Sequence, residues 1–376
     1  MPSSHNTALL SHIDCPGGGQ VWVEGTILYV GHMRWPSGTS IYDVADPRKP
    51  RLLARIDLPE GWHSHKVRVA DGVMIVNHEK LGQNGPAEFG GGLAVYDVSR
   101  PSEPKLISKW KTAGRGVHRY DFDGRYAYIS PTAEGYLGNI VAILDLADPS
   151  RPVEIARWWI EGQHQAGGEA YPWSPELPMP RCHHPLRLGD RLYVSYWHHG
   201  FFILDISDLS RPTLVSQLNS SPSFPHPTHT CLPIPQPLKQ RKIMVVADED
   251  VAKLRPAPPS FAWIYDITDE RNPLPVATYQ VAGLDPDGAP QPPMMGCHQP
   301  SERFKGTVIP FAWFAQGLRL VDIADPSAPR EVGHYLPDVP PGADLPSSND
   351  VTIDDRGLVY LIDRINGVDI IETKVL

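Results

Sequence analysis

Histidine recurs at one position in successive hairpins of this 376-residue chain. When the hairpins are aligned on their first strands, that position lies four residues before the second apolar residue. Five of the seven hairpins have histidine there, and the full set is Gly19, His65, His118, His184, His229, His298 and Asn349. Because only 16 of the 376 residues are histidine, random placement does not explain the recurrence.

Equivalent residues of repeated hairpins meet around an axis when the repeats close into a ring. Five imidazoles there would repel one another if protonated, and would lack hydrogen-bond partners if merely packed. A metal ion removes both problems, because neutral imidazole is a common metal ligand. Nitrogen ligands without a thiolate favour Fe(II), Cu, Zn, Ni or Mn over Ca or Mg. A structural polar plug and a metal-free pocket with acid–base histidines remain open as alternatives.

The second strand of each hairpin returns to the same end, and we expect catalytic groups there. The candidates are His78, Glu79, His198, Glu249 and Arg364. Glu79 and Glu249, together with Asp248, could orient the ligand imidazoles by accepting their other N–H, or they could be solvated strand ends. Arg364 could clamp a substrate carboxylate or phenolate, or it could pair with Asp363.

The segment RCHHPLRLGDRLYVSYWHH (181–199) places two histidines at each end of one hairpin. The alignment predicts that His184 binds the metal, and that His183 and His199 point away from the axis. His198 is the proton-transfer candidate of this segment.

The elements that must position these residues follow from a repeated phrase: an apolar strand ending in Asp, a D-x-x-x-P turn, and a second strand. Asp can bond its own backbone and proline presets φ, which together favour a turn. The copies are SIYDVADPRKPRLLARI from Ser40, AVYDVSRPSEPKLISKW from Ala94, AILDLADPSRPVEIARW from Ala142, FILDISDLSRPTLVSQL from Phe202, WIYDITDERNPLPVATY from Trp263 and RLVDIADPSAPREVGHY from Arg319. Each copy follows another hairpin, so each unit contains four strands, as in a propeller blade.

The seventh unit, VTIDDRGLVYLIDRINGVDIIE, has only three strands before the chain ends. The N-terminal ALLSHID resembles RLLARID of the first unit, so we expect it to supply the missing strand and close the ring. The sequence therefore predicts an all-β, seven-bladed β-propeller in a single domain, residues 1–376. The predicted blades are approximately 15–58, 63–111, 118–159, 183–218, 229–281, 298–336, and 349–372 with strand 8–14.

The recurring phrase resembles the LVIVD repeat, and the resemblance covers nearly the whole chain. Residues 178–212, PMPRCHHPLRLGDRLYVSYWHHGFFILDISDLSRP, also resemble the selenium-binding proteins, a family that includes methanethiol oxidases. This likeness implies a metal-using propeller without naming a substrate. In architecture, the predicted ring is similar to that of the carotenoid-cleaving dioxygenases, which hold iron with four histidines on a seven-bladed propeller. Their motifs are not matched here, so the likeness is an analogy.

The analogy implies a mononuclear metal enzyme, with iron favoured, that acts as an oxidoreductase or oxygenase on a small organic substrate. Three or four aligned histidines would hold the ion, and the gap at Gly19 beside Asn349 would leave room for substrate. Two alternatives remain open. The ion could serve a lyase, isomerase or hydrolase as a Lewis acid, or the propeller could be a non-catalytic interaction scaffold.

Long connections are expected on the face that bears the histidines, where such loops often carry function. They are IEGQHQAGGEAYPWSPELPMPRC, VAGLDPDGAPQPPMMGC and LPDVPPGADLPSS, and their composition suits a partly apolar lid. Three of the four cysteines lie one or two residues from the aligned histidines, and we expect them to pack as apolar groups. Cys231 could instead face the channel as a ligand or redox group.

The overall charge and the terminal sequence narrow the choice of partners. A net charge of -9 and no basic cluster argue against nucleic acid as a partner. No secretory signal and no apolar run of membrane-spanning length is visible. Four cysteines are too few for a disulfide framework, so we expect a reduced, cytoplasmic setting.

Overall fold

Thirty strands and two single-turn 3-10 helices form the regular structure of the described residues in a computed structural model. It describes residues 4–82, 84–282, 294–339 and 341–376. The strands are β1 Ser4–His5, β2 Thr7–Asp14, β3 Gly18–Glu24, β4 Ile27–His32, β5 Ser37–Asp43, β6 Arg51–Asp57, β7 Trp62–His63, β8 Val67–Ala70, β9 Val73–Lys80, β10 Gly91–Asp97, β11 Lys105–Thr112, β12 Val117–Phe122, β13 Tyr126–Pro131, β14 Val141–Asp145, β15 Val153–Trp158, β16 His184–Leu188, β17 Arg191–Ser195, β18 Phe201–Asp205, β19 Thr213–Leu218, β20 Thr228–Pro233, β21 Ile243–Asp248, β22 Ala262–Asp266, β23 Leu274–Tyr279, β24 Gln299–Pro300, β25 Val308–Ala312, β26 Leu318–Asp322, β27 Arg330–Tyr335, β28 Ser348–Ile353, β29 Val359–Asp363 and β30 Gly367–Thr373. The helices are Ala87–Phe89 and Gln165–Gly167.

These strands form seven antiparallel sheets, one for each blade. Blades one, three, four and five each contain four consecutive strands, β3–β6, β12–β15, β16–β19 and β20–β23. Blade two contains β7–β11, blade six contains β24–β27 with β1, and blade seven contains β28–β30 with β2. The predicted seven-bladed β-propeller is therefore confirmed.

The aspartates of the repeated phrase make the turns that the sequence predicted. In blade one, Asp43 Oδ1 accepts the N–H of Ala45 at 2.9 Å, and Asp46 Oδ1 accepts the N–H of Arg48 at 3.0 Å. The first of these two turns recurs in blades two to six. Because each turn is closed by its own side chain, the two outer strands of a blade are fixed locally.

The N-terminal segment closes the ring as predicted, and it also pairs with a second blade. Strand β2 pairs antiparallel with β30, and His12 Nδ1 lies 2.7 Å from Asp369 Oδ1 across that pair. Before β2, strand β1 pairs with β27 of blade six, a pairing that the sequence analysis did not predict. Asn6 lies between the two strands with φ 57° and donates from Nδ2 to the Val332 carbonyl at 2.7 Å. The first strands therefore connect blades six and seven.

The apolar core lies between facing sheets of neighbouring blades. At the closure, Val21 and Val30 of blade one pack in one cluster with Tyr360 and Ile362 of blade seven. All four side chains are buried, and such burial contributes about 1.5–3 kcal/mol for each apolar side chain. The interface between the first and last blades is therefore packed in the same way as the others.

Two of the three predicted long connections fall mostly within the described residues. The first joins β15 to β16 and the last joins β27 to β28, so both lead into the first strand of a blade. Residues 283–293 of the middle connection lie outside the described residues. Among the described residues, no helix has the length and hydropathy that crossing a membrane requires.

Candidate metal centre

Six histidines from five consecutive blades form one continuous row, here called the histidine arc. Its members in order are His63, His65, His118, His183, His229 and His298. Successive ring centroids lie 4.6, 4.8, 4.8, 4.4 and 4.2 Å apart. Five of the six are buried, while the His118 side chain keeps 14% of its surface exposed. The structure thus brings four of the five predicted ligands together and replaces the fifth.

Blade four contributes His183 to the arc, so the prediction that His183 points away from the axis is wrong. The predicted register used Leu188 as the second apolar residue. The strands pair instead so that Pro185 lies opposite Val194, as Val67 lies opposite Val76 in blade two. Proline and then Arg187 occupy the positions that are apolar in blades one, two, three and seven, which hid the register in the sequence.

His184 lies one layer deeper than the arc. Its backbone N–H donates to Ser195 Oγ at 3.1 Å. In blade two, the backbone N–H of Lys66 donates in the same way to Asn77 Oδ1. Its Nε2 lies 2.9 Å from Lys66 Nζ and 3.5 Å from a Glu302 oxygen. Because the lysine donates to Nε2, this nitrogen is not free to bind a metal in the arc.

His63 was not predicted as part of the site, although the segment GWHSHKV (61–67) contains it two residues before His65. Residues two apart share one face of an extended strand, so His63 is expected on the same face as His65. Its Nε2 donates to Glu79 Oε2 at 2.8 Å. Strand pairing explains the contact, because His63 lies directly opposite Glu79 in the β7–β9 ladder.

Four histidines of the arc have Nδ1 bound to an acceptor, which fixes the proton on that nitrogen. The pairs are His118 with Glu79 Oε2 at 2.6 Å, His183 with the His229 carbonyl at 2.8 Å, His229 with Thr230 Oγ1 at 2.9 Å, and His298 with the Asn349 carbonyl. The Thr230 hydroxyl is an acceptor here because it donates its own proton to Gln299 Oε1 at 2.8 Å. In the neutral form, each of these four rings therefore has a lone pair on Nε2.

These lone pairs lack proton donors. His118 Nε2 and His183 Nε2 lie 3.0 Å apart, and His229 Nε2 has no hydrogen-bond partner among the described residues. Protonation does not resolve the contact, because burial lowers the pKa of His118 to about 3 and lowers that of His183 well below its usual value. Neighbouring nitrogen ligands of one ion, with bonds of about 2.0–2.1 Å, lie about 3.0–3.4 Å apart. The observed separation therefore fits a pair of metal ligands.

His65 differs from these four in its tautomer. Asn77 Nδ2 donates to His65 Nδ1 at 3.2 Å and to the Val117 carbonyl at 3.0 Å. The Asn77 orientation is fixed because its Oδ1 accepts the N–H of Lys66 at 2.9 Å. Neutral His65 consequently has its proton on Nε2, which is buried without a partner among the described residues. This arrangement suits a hydrogen-bond donor in the site better than a ligand.

Glu79 and Glu249 lie in the arc, as the sequence analysis expected. Glu79 Oε2 accepts from His118 and His63, which lower its pKa against the opposing effect of burial. Glu249 lies 3.3 Å from His298 Nε2 and 3.7 Å from His229 Nε2. Each glutamate therefore contacts two imidazoles.

Two groups of residues could hold a metal ion, since their ligand atoms all lie within 4.8 Å of one another. One group contains His63, His65 and Glu79, and the other contains His183, His229 and Glu249. The second group combines two lone-pair histidines with a carboxylate. This set of ligand types is that of non-haem iron sites.

Arg364 lies beside the second group. Its Nε donates to Asn349 Oδ1 at 2.6 Å, and its Nη2 lies 3.7 Å from Glu249 Oε1. Asp363, the alternative partner considered from the sequence, instead accepts backbone N–H groups from Ile365 and Asn366.

Three other candidate residues lie away from the arc. His78 packs against Phe89 at 4.6 Å, because strand alternation turns it to the side opposite Glu79. His198 Nε2 donates to the Ala252 carbonyl at 2.7 Å, beside the long loop of blade five. Asp248 accepts from Trp263 Nε1 at 2.8 Å and so faces between blades, where it orients no histidine of the arc.

A second polar layer, here called the polar floor, lies directly below the arc. It consists of the residue after each aligned position: Gln20, Lys66, Arg119, His184, Thr230, Gln299 and Asp350, all buried. Glu302 joins it by ion pairs with Lys66 at 3.0 Å and with Arg68. The sequence contained this signal, since every aligned position is followed by a polar residue once blade four is read from His183.

The expected gap at Gly19 is not open, and that prediction is wrong. A Cβ placed on Gly19 would lie 2.7 Å from the Cβ of His65, so glycine allows blade two to pack closely there. The Asn349 amide also donates to the Gly19 carbonyl. The four cysteines are buried and free, and Cys231 packs in an apolar cluster with Tyr193 and Phe201.

A cavity of 530 Å³ lies in blade five, between the segment before β20 and the connection from β21 to β22. Phe224, Phe261 and a proline-rich loop line it, together with His226 and Asp248. Asp248 Oδ1 has no hydrogen-bond partner among the described residues. Because Asp248 faces between blades and no arc histidine is among the lining residues, the cavity belongs to blade five and not to the arc.

The fold and the site together define a seven-bladed β-propeller with a histidine-lined axis. Residues 87–112, 188–220 and 311–336 match the LVIVD repeat, so three copies of this repeat lie within the propeller. The likenesses to selenium-binding proteins and to carotenoid-cleaving dioxygenases stay predictions.

Solved structures agree on the fold and carry no information on function at their level of identity. The computationally designed Ika8 protein has a TM-score of 0.54 at 9% identity, covering 96% of this chain and 98% of its own. Sqt1 of Saccharomyces cerevisiae has a TM-score of 0.55 at 10% identity, covering 98% and 88%. A chain from the S. cerevisiae complex of a Dbp5 variant with Nup159, a Gle1 variant, IP6 and ADP has a TM-score of 0.55 at 9% identity, covering 97% and 94%. No curated protein matches the chain.

Proposed function

We propose that this propeller is a metalloenzyme that holds one transition-metal ion at the histidine arc and oxidises a small organic substrate with O2. The observation that carries the proposal is the set of buried Nε2 lone pairs without proton donors, two of them 3.0 Å apart. The ion would be held by His118, His183, His229 and His298, with Glu249 beside the last two.

The types of ligand support a redox role and favour iron. Imidazole and carboxylate without thiolate suit Fe(II), and a site with open positions supplies one-electron chemistry with O2. All four cysteines are buried, and burial raises the pKa of each thiol, so thiolate ligation does not compete.

The other residues of the site would position the ligands and the substrate. Glu79 fixes the orientation of His118 and His63 through their N–H groups. His65 offers an unpaired Nε2–H as a hydrogen-bond donor to a bound substrate. The buried side chains of the polar floor would lie directly below the ion.

Metal analysis of protein purified without a histidine tag tests the proposal first. We expect close to one equivalent of a redox-active metal, with oxygen consumption when a substrate is present. Less than about 0.2 equivalents after reconstitution with Fe(II), Cu(II), Zn(II) and Mn(II) would refute a metal enzyme. Stoichiometric zinc without oxygen consumption would favour a Lewis-acid lyase or hydrolase instead.

The adjacent pair His183 and His184 provides a matched control, since both are buried histidines at the start of the first strand of blade four. His183→Ala should lower metal content at least about tenfold, because it removes a ligand. His184→Ala should retain the metal, and so should His65→Ala, because their nitrogens are bound or protonated. Equal metal loss in His183→Ala and His184→Ala would contradict this assignment. Thermal melts show whether each variant is folded.

A further inference from the structure

Two turns at the rim of the arc have the same structure in different blades. They cover residues 196–200, with sequence YWHHG, and 313–317, with sequence WFAQG. In both, the first N–H donates to the carbonyl of the fifth residue at 2.8 Å, and the fifth N–H donates to the carbonyl of the second at 3.2 and 3.3 Å. The second residue, Trp197 or Phe314, has a positive φ of 55° or 20°. Because non-glycine residues rarely adopt positive φ, each turn holds its aromatic ring at a backbone cost.

Each aromatic ring lies between an arc histidine and an arginine. In blade four, the Trp197 ring centroid is 4.9 Å from that of His183 and tilted by 30°. The guanidinium of Arg181 lies over the same indole, 5.1 Å from its centroid. The turn therefore holds a positive charge against the edge of the arc.

The second stack repeats this arrangement in blades six and seven. The Phe314 ring centroid is 4.4 Å from that of His298, with 29° between the planes. Arg364 lies over Phe314 at 5.1 Å, the same distance as in the first stack. Its Nε is occupied by Asn349, and its Nη2 lies 3.7 Å from Glu249. The two stacks thus present one guanidinium each beside the arc.

The two guanidiniums lie at different ends of the lone-pair histidines, one on the ring beside His183 and the other on the ring beside His298. The Arg181 guanidinium makes no hydrogen bond within the described ranges, and the side chain is only partly buried. Arg181 therefore has its hydrogen-bond donors available at the mouth of the site.

The two guanidiniums lie near the carboxylates of Glu79 and Glu249 in a molecule that is acidic as a whole. The chain has 43 acidic and 34 basic residues, so its net field repels anions. Two guanidiniums held on aromatic rings beside a site for small molecules favour a planar oxyanion, which a guanidinium can bind with two parallel hydrogen bonds.

We propose that Arg181 binds the carboxylate group of an organic ligand at the mouth of the histidine arc, and that the positive charge of Arg364 at the other end of the arc strengthens this binding. The inference rests on the proposed function where it names this ligand as the substrate, whereas the carboxylate site itself requires no metal. A competing explanation is that the guanidiniums only neutralise Glu79 and Glu249. In that case, removing either arginine would leave anion binding unchanged.

Calorimetric titration with acetate and benzoate tests the site in the full-length protein, after chelator treatment and again after metal reconstitution. We expect benzoate to bind at least about tenfold more tightly than its neutral analogue benzamide. Arg181→Met and Arg364→Met should each weaken benzoate binding about tenfold or more, because each removes charged donors but keeps an unbranched chain on the aromatic ring.

Arg125→Met is the matched control, since Arg125 also lies over an aromatic ring, 4.8 Å from the Tyr126 centroid, at a turn between the first two strands of blade three. It should bind benzoate like the unmodified protein. The inference is overturned if neither acetate nor benzoate binds in either state, or if Arg181→Met and Arg364→Met bind them unchanged. Benzoate binding by a protein that never retains metal would refute the proposed function but support the carboxylate site.

Discussion

Within the histidine arc, the role open to each imidazole depends on the group that contacts its Nδ1. Four rings have an acceptor there and direct a lone pair into the site, whereas His65 has the Asn77 amide and presents a proton. Residue type alone made these histidines equivalent in the sequence. The tautomers divide five of the six into four possible ligands and one donor, whereas the sixth, His63, donates from Nε2 to Glu79.

Glu79→Gln tests whether the carboxylate holds the arc in its metal-binding arrangement. The substitution removes the charge that accepts N–H groups from His118 and His63, so metal affinity should fall about 10–100-fold. Competition with a chelator of known affinity measures the change. Glu88→Gln, an exposed residue of the same blade, should leave affinity unaltered. An unchanged affinity in Glu79→Gln would show that the carboxylate does not orient the ligands.

The aligned histidines predict where the site lies in the fold, but they do not predict all of its residues. The alignment found four histidines of the arc. In blades two and three the apolar pattern of the first strand is regular, and in blades five and six the histidines were placed from the short segments HPTHTCLPI and MGCHQP. The alignment failed in blade four, where Pro185 and Arg187 replace the apolar residues that set the register. Arg181 and its stack on Trp197 had no signal, since that contact depends on a turn with positive φ.

Among the elements, the blades were predictable because the aspartate turns are closed locally, within two or three residues of each Asp. The pairing of β1 with β27 was not predictable in the same way. It joins residues more than 300 positions apart, and strand β1 is only two residues long, which is too short to show a periodic pattern. Local chemistry therefore sets the turns, while tertiary packing sets the outer strand of blade six.

The pairing of β2 with β30 should depend on pH through His12. Its hydrogen bond to Asp369 raises the pKa of His12 above 6.5, so the folded state holds this proton more tightly than the unfolded chain. The stabilisation is fully present below the unfolded pKa and is lost as pH rises through the folded pKa. The difference in melting temperature between the protein and His12→Gln should therefore be larger at about pH 5.5 than at about pH 8.5.

His5→Gln, in the neighbouring strand β1, is the control for that measurement. It removes a histidine from the same terminal segment without removing the Asp369 contact. If His12→Gln lowers the melting temperature equally at both pH values, protonation of His12 does not stabilise the closure.

At the scale of the whole molecule, the ring is closed by noncovalent pairing of the two ends of the chain. Removing residues 1–14 would expose the edge of β30 and the apolar cluster that contains Ile13 and Val368. We expect the melting temperature to fall by more than about 10 °C and the truncated protein to associate in solution. Thermal melts and light scattering measure the two effects.

Removing only residues 1–5 deletes β1 and leaves β2 in place, which makes it the matched control. This shorter truncation should lower the melting temperature much less, because both residues of β1 are exposed. If both truncations melt alike, the closing strand is not what stabilises the ring.

The polar floor has a kinetic consequence for whatever binds above it. All seven residues of the floor are buried, and Glu302 forms ion pairs there with Lys66 and Arg68. If the floor closes the axis to ligands, molecules can enter and leave the arc only from the long-loop face, as in a blind pocket. A first ligand that lies deep in such a blind pocket departs only after the one above it. The order of arrival then fixes the order of release, and a spent molecule that lingers competes directly with the next arrival.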